Sequence, residues 1–337
     1  MNRNLAVLLA LVVAATPVAA QVRLTGAGAT FPDPVYQRWF EHYGKRHDVR
    51  INYQPLGSGA GIRQFVQGTV DFGASDGPMS DAEIAEIGGN VIHLPTVIGA
   101  VAVTYNLPAL GATRLKLDGP LIADLFLGRI TRWNDPRIAA ANPGVALPAE
   151  DVVVVHRSDG SGTTFVFTDY LAKVSPEWAE QVGTRTSVRW PVGLGGRGNE
   201  GVTAQVKQLT GSIGYVELAY ATANQLPAAE VKNRGGRFIV PNVASVTAAA
   251  ATTMITPGGD LRVSITDPEG SEAYPIASFT WLLVRRRWND PARSAAMKGF
   301  LEWMTTPEAQ QIGTELGYAP LPAPVAAIVR NEVAGLR

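Results

Sequence analysis

Cysteine is absent from all 337 residues. That absence excludes disulfides, thiolate nucleophiles, iron–sulfur clusters and Cys-ligated zinc, and it leaves no residue for lipid attachment. A surplus of either charge is missing too: 29 Lys and Arg face 29 Asp and Glu, so a nucleic-acid partner drawn by bulk electrostatics is not expected. The only histidines are His42, His47, His93 and His156, and no two stand at H-x-x-x-H or H-E-x-x-H spacing. Local spacing therefore offers no metal site, and no cofactor is expected. Beyond the first twenty residues no apolar run approaches the ~20 residues needed to span a bilayer. What remains is a globular composition, 46% hydrophobic and 17% charged, at a length that usually divides into two domains.

The first twenty residues have their own logic. Arg3 supplies a positive start, Leu5 to Ala15 is an apolar run that stops at Thr16-Pro17, and Val18-Ala19-Ala20 offers small residues before a cut. This pattern reads as a secretory signal peptide over 1–20 and predicts an exported protein with no transmembrane segment in the mature chain.

A repeated local plan follows. Arg23-Leu24-Thr25 reads as a strand entering Gly26-Ala27-Gly28-Ala29-Thr30-Phe31, then a helix with Val35, Tyr36, Trp39, Phe40 and Tyr43 on one face. Arg50 to Tyr53 alternates like a strand and leads through Gly57-Ser58-Gly59-Ala60-Gly61 to a helix carrying Ile62, Phe65 and Val66. Val152 to Val155 is apolar enough for a buried parallel strand and precedes His156-Arg157-Ser158-Asp159-Gly160-Ser161-Gly162-Thr163, with Val166, Phe167, Tyr170 and Leu171 on the next helix. Such turns set free backbone N–H groups and hydroxyls at helix N-termini, where the dipole favours an anion. One such turn is commonly just a helix cap; three can converge at the carboxyl edge of a parallel sheet, where α/β proteins bind ligands.

Nearby charges sharpen the expectation. Arg157 ends a buried strand with Asp159 two residues on, so a guanidinium could fork onto an oxyanion while the carboxylate orients it. A plain Arg–Asp surface pair is the other reading. Asp76 ends the strand Val70 to Ser75. A carboxylate beside an anion makes sense when the anion brings a proton to donate, which singly protonated phosphate does and sulfate does not. Ser80 and Glu83, at capping-box spacing, already start the following helix, which weakens the alternative that Asp76 is a cap.

Several longer stretches carry a resemblance: Thr25-Gly-Ala-Gly-Ala-Thr-Phe-Pro32, Gly57-Ser58-Gly59, Val70-Asp-Phe-Gly-Ala-Ser-Asp76, Arg157-Ser-Asp-Gly-Ser-Gly-Thr163, Trp190-Pro-Val-Gly-Leu-Gly-Gly-Arg-Gly198 and Gly211-Ser-Ile-Gly-Tyr-Val-Glu217. In content and order the chain resembles the periplasmic phosphate-binding proteins of high-affinity phosphate ABC transporters. The resemblance implies an α/β, two-lobed type II periplasmic-binding fold, with mixed sheets flanked by helices and the ligand cleft between lobes. It implies phosphate contacts from Thr30, Phe31 and Ser58, Asp76 as acceptor of the phosphate proton, Arg157 as the cation with Asp159 orienting it, and donors from Ser161, Gly162 and Thr163. It further implies delivery to inner-membrane ABC permease subunits. Lobe I is expected over 22–96 plus 274–337 and lobe II over 97–273, with crossovers near Val97–Val103 and Pro275–Ser278, in a monomer that is not an enzyme. Past about Tyr220 the family's strong motifs fade.

Three further patterns stand in the sequence. Gly193-Leu-Gly195-Gly-Arg-Gly198 fits G-x-G-x-x-G, with Glu217 near the distance of a ribose-binding acid, but Pro191 cuts the strand that should precede it, so a tight loop opening a helix around Val202 to Leu209 is expected. Ser161 sits at a strand-to-helix turn like a nucleophile, yet Gly160-Ser161-Gly162 is not G-x-S-x-G and no histidine is placed to activate it. A phosphate-handling hydrolase is therefore the weaker alternative, beside a receptor for another tetrahedral oxyanion. Finally, Met297, Phe300, Leu301 and Met304 after Asp290-Pro291 read as an ordinary core stripe on a capped helix.

Overall fold

The structure, a computed structural model, describes residues 21–252, 255–256 and 258–337; the signal-peptide reading of 1–20 lies outside the described residues. The strands in chain order are β1 (Val22–Gly28), β2 (Val49–Gln54), β3 (Phe72–Ser75), β4 (Ile92–Tyr105), β5 (Lys116–Leu117), β6 (Val153–Arg157), β7 (Leu194–Gly196), β8 (Ser212–Glu217), β9 (Glu230–Lys232), β10 (Phe238–Ile239) and β11 (Ala277–Val284). Eight of them form one mixed sheet in the order β2-β1-β3-β11-β4-β8-β6-β7, and β10-β9-β5 form a small second sheet.

The joint in this architecture is β4. Its fourteen residues are buried along the whole length, because helices cover both faces of the sheet and such strands read as near-continuous apolar runs. Ile92 to Ala100 pairs with β11, and Val101 to Tyr105 pairs with β8. A single strand thus belongs to two half-sheets, β2-β1-β3-β11 on one side and β8-β6-β7 on the other, which gives the expected two-lobed α/β fold. The register slips where Thr280 pairs with Val97 but Trp281 pairs with Pro95. Pro95 has no N–H for the ladder, and a bulge is where a buried strand tolerates that loss.

The helix faces behave as their periodicity predicts. Val35, Tyr36, Trp39, Phe40 and Tyr43 are all buried on helix Asp33–Gly44, and Phe40 meets Phe300 with ring centroids 5.2 Å apart. Burying each such side chain contributes on the order of 2 kcal/mol. The stripe of helix Pro291–Met304 is core, and Asp290 caps that helix through the N–H groups of Ala292 and Arg293.

Residues 260–267 carry no regular structure but lie across both halves. Arg262 reaches the Met79 carbonyl at 3.0 Å and Asp81 at 2.8 Å, and the Trp281 indole donates to the Leu261 carbonyl. On the other side, the Ser264 hydroxyl donates to Asp169 and Lys173 donates to the Thr266 carbonyl, both from helix Gly162–Val174.

Candidate functional site

Five turns meet at one place. Thr30 and Phe31 follow β1, Ser58 opens helix Ser58–Gln67 after β2, and Asp76 follows β3. From the other half come Arg157, the last residue of β6, and the turn that runs into helix Gly162–Val174. The fifth turn follows β7 and opens helix Gly198–Gln208. All five lie at carboxyl ends of parallel strands, where helix N-termini converge.

The two halves touch here. Gly59 N–H donates to the Gly160 carbonyl at 3.0 Å, and Gly162 N–H donates to Ser58 Oγ at 3.0 Å. The approach explains two glycines. Gly57 has φ +92°, and a Cβ there would stand 2.3 Å from Asp159 Oδ2; a Cβ on Gly162 would stand 2.5 Å from both Asp76 Oδ2 and Ser58 Oγ. Only a missing side chain permits that contact.

Arg157 is buried and forked onto Asp159, with Nε to Oδ1 at 2.8 Å and one terminal nitrogen to Oδ2 at 2.6 Å. The other terminal nitrogen reaches Thr163 Oγ1 at 3.3 Å. With five N–H groups in the guanidinium, two have no partner among the described residues and can meet an anion. Burial would raise the Asp159 carboxyl, but the Arg157 bonds and the Gly198 N–H hold it below the usual carboxylate range. The surface-pair reading of Arg157 and Asp159 is overturned by this burial. His156 turns the opposite way and stacks on Trp190 at 4.8 Å.

Asp76 is buried, and its Oδ1 accepts the Thr280 hydroxyl at 2.8 Å. Its Oδ2 has no hydrogen-bond partner among the described residues. Burial pushes its pKa up to about 7, while the Thr280 bond and the Arg157 charge pull it down. An unpartnered buried carboxylate oxygen costs about 1–3 kcal/mol, so the site is built around an acceptor with spare capacity.

Each remaining candidate has a definite place. Thr30 Oγ1 accepts from Asn199, and the Thr30 carbonyl accepts from Tyr220 at 2.6 Å. Phe31 is buried, its carbonyl accepting from Tyr318 at 2.6 Å. Ser58 Oγ takes the N–H groups of Asp76 and Gly162. Ser161 Oγ accepts from Thr164 N–H and is thereby the helix cap. Two residues escaped the sequence reading: Thr280, on a strand remote from every motif, and Asn199, one residue past the glycine-rich run.

That run is only partly the expected loop. Leu194 to Gly196 forms β7, parallel to β6, and the helix begins at Gly198, not Val202. Gly198 N–H points at Asp159, 3.1 Å away, so the run braces the Arg157 partner where a dinucleotide motif would hold pyrophosphate. Glu217 caps helix Leu218–Ala223 through Ala219 N–H, and burial lifts its carboxyl well above the usual range. No group of three or more His, Asp or Glu that could hold a metal ion occurs among the described residues. Nor does any described helix have the length and apolarity to cross a membrane.

The PBP superfamily domain matches residues 14–308. Phosphate-binding protein PstS of Pasteurella multocida (strain Pm70) is 43% identical over 321 residues, covering 95% of this chain and 92% of that protein. The protein of the same name from Haemophilus influenzae is 41% identical over 316 residues, covering 94% of each. A solved high-affinity periplasmic phosphate-binding protein (PfluDING) with bound phosphate superposes with TM-score 0.74 at 22% identity, covering 92% of this chain and 93% of that one.

Proposed function

The chain belongs to the family of phosphate-binding proteins PstS, and from that membership we propose that it captures inorganic phosphate between its two lobes in the periplasm and delivers it to the inner-membrane subunits of an ABC-type import permease. Thr30, Phe31, Ser58, Arg157, Ser161 and Thr163 supply donors, Gly162 turns its N–H from Ser58 Oγ to the anion, Asp159 holds Arg157, and Asp76 accepts the proton that the anion carries. Lobe I comprises 22–96 and 274–337, lobe II comprises 97–273, and the hinge lies in β4 and near 275–278. Closure brings the 157–163 turn over Ser58 and Asp76.

The observation that carries this reading is the free, buried Oδ2 of Asp76 amid hydroxyls, amides and one paired guanidinium. Once the Asp76 carboxyl is ionised, an anion with a proton fills that acceptor, whereas sulfate meets it with an uncompensated like charge. The hydrolase alternative finds no support in the site: Ser161 Oγ is committed to its helix, and His156 stacks on Trp190 with Nδ1 at the Arg157 carbonyl, 3.0 Å away. A binding protein without catalysis, acting as a monomer, fits better.

Calorimetric titration at neutral pH tests the proposal, using mature protein stripped of anion by unfolding and refolding. Tight one-to-one binding of phosphate with no heat from sulfate is the expected result. Heat from sulfate of similar size would overturn proton-based selection, and silence with both anions would overturn phosphate as the ligand.

A further inference from the structure

Asn199 is fully buried, and each polar atom of its side chain is used. Oδ1 accepts Glu217 N–H at 2.9 Å, and Nδ2 donates both to Thr30 Oγ1 at 2.8 Å and to Thr163 Oγ1 at 3.2 Å. Its backbone N–H also donates to Thr30 Oγ1, at 3.1 Å. The side chain is not a helix cap, since Oδ1 faces β8 and not its own helix.

The direction of these bonds follows from the partners. A backbone N–H can only donate, so Glu217 fixes Oδ1 and forces the amide N–H groups toward the two threonines. A hydroxyl oxygen has two acceptor positions and one proton. On Thr30 both acceptor positions are taken by Asn199; on Thr163 they are taken by Asn199 and Arg157. Each hydroxyl proton must then be given to something else.

We infer that Asn199 is a positioning residue that turns the hydroxyls of Thr30 and Thr163 into obligate donors, so that both can only donate to the bound anion, neither can take its proton, and that proton is left to Asp76. The inference rests on the phosphate-receptor reading and extends it to a residue outside the ligand contacts. Because Thr30 stands in one half and Asn199 and Thr163 in the other, the arrangement is completed only when the halves are together.

The test is a coupling measurement with inorganic phosphate, by calorimetry, on Asn199→Ala in two backgrounds: wild type, and Thr30→Val/Thr163→Val. Two polarised hydroxyls at about 1 kcal/mol each correspond to a roughly thirty-fold loss of affinity in wild type. In the double-valine background, read at higher phosphate concentration, the same substitution is expected to change affinity less than about threefold. Equal losses in both backgrounds would show Asn199 to be a packing residue and overturn the inference, as would no loss in wild type. Asn199→Asp keeps shape and volume should the alanine variant fold poorly. Lacking both N–H groups, it is expected to bind phosphate more weakly than wild type with its melting temperature retained, and unaltered affinity in that variant would equally overturn the inference. Failure of the wild-type protein to bind phosphate is a separate result, which overturns the receptor reading itself.

Discussion

Under the proposed phosphate reading, selectivity between anions rests on the surroundings of Asp76. Burial pushes its carboxyl up to about 7 from the 3.8 of an ordinary aspartate. Between those values the closed fold holds a proton that the unfolded chain has released, so stability is full below 3.8 and falls as pH rises toward about 7. Asp76→Asn removes that dependence. In phosphate-free protein, the melting temperature of the variant is expected to match wild type at the acid end and to exceed it increasingly up to neutrality. The same variant loses the like-charge rejection of sulfate, and its phosphate-over-sulfate ratio is expected to drop at least about tenfold in competition titrations. Arg157→Ala is harsher, since it strips Asp159 of its buried partner as well; a loss of about 2–5 kcal/mol in phosphate binding is expected by calorimetry. Most of these side chains were legible because a motif surrounds each of them. Thr280 was not: it lies 204 residues from the carboxylate it serves, and nothing local distinguishes a threonine in an apolar strand.

Strand-turn-helix units explain why the remaining residues were found or missed. Three of the units have strands with clear alternation or an apolar run, and their helix faces are buried as the period requires. The fourth was unread because β7 is three residues long and two of them are glycine, which gives no pattern to count. Its turn therefore looked like a loop, and Asn199 went with it. The third unit offers a prediction of its own. The first residue of helix Gly162–Val174 has to sit against Ser58 and Asp76, and a methyl group at Gly162 would collide with both. Gly162→Ala is expected to cost about 1–3 kcal/mol in phosphate binding. Its far-ultraviolet circular dichroism should be unaltered, because alanine is the better helix former.

Across the whole molecule, β4 pairs into both half-sheets, and the irregular segment at 260–267 makes contacts in each half. That segment was opaque in sequence because its contacts are polar and far apart in the chain: Arg262 with Met79 and Asp81, Ser264 with Asp169. Arg262→Ala loosens one end of it, which the Trp281 bond to the Leu261 carbonyl still holds. Since Asp81 is exposed, the pair is a weak one, and phosphate release in stopped-flow measurements is expected to quicken by about two- to fivefold with little change in the association rate.

The position of β11 has a consequence for how the protein comes into being. This strand lies between β3 and β4 in the sheet yet is made near the end of synthesis. Until residue 284 has emerged, β3 and β4 have no common neighbour and the first half-sheet cannot seal; pairings that span so much chain are slow to form. A nascent polypeptide of this design stays open until β11 is made, and its large sheet becomes continuous only then.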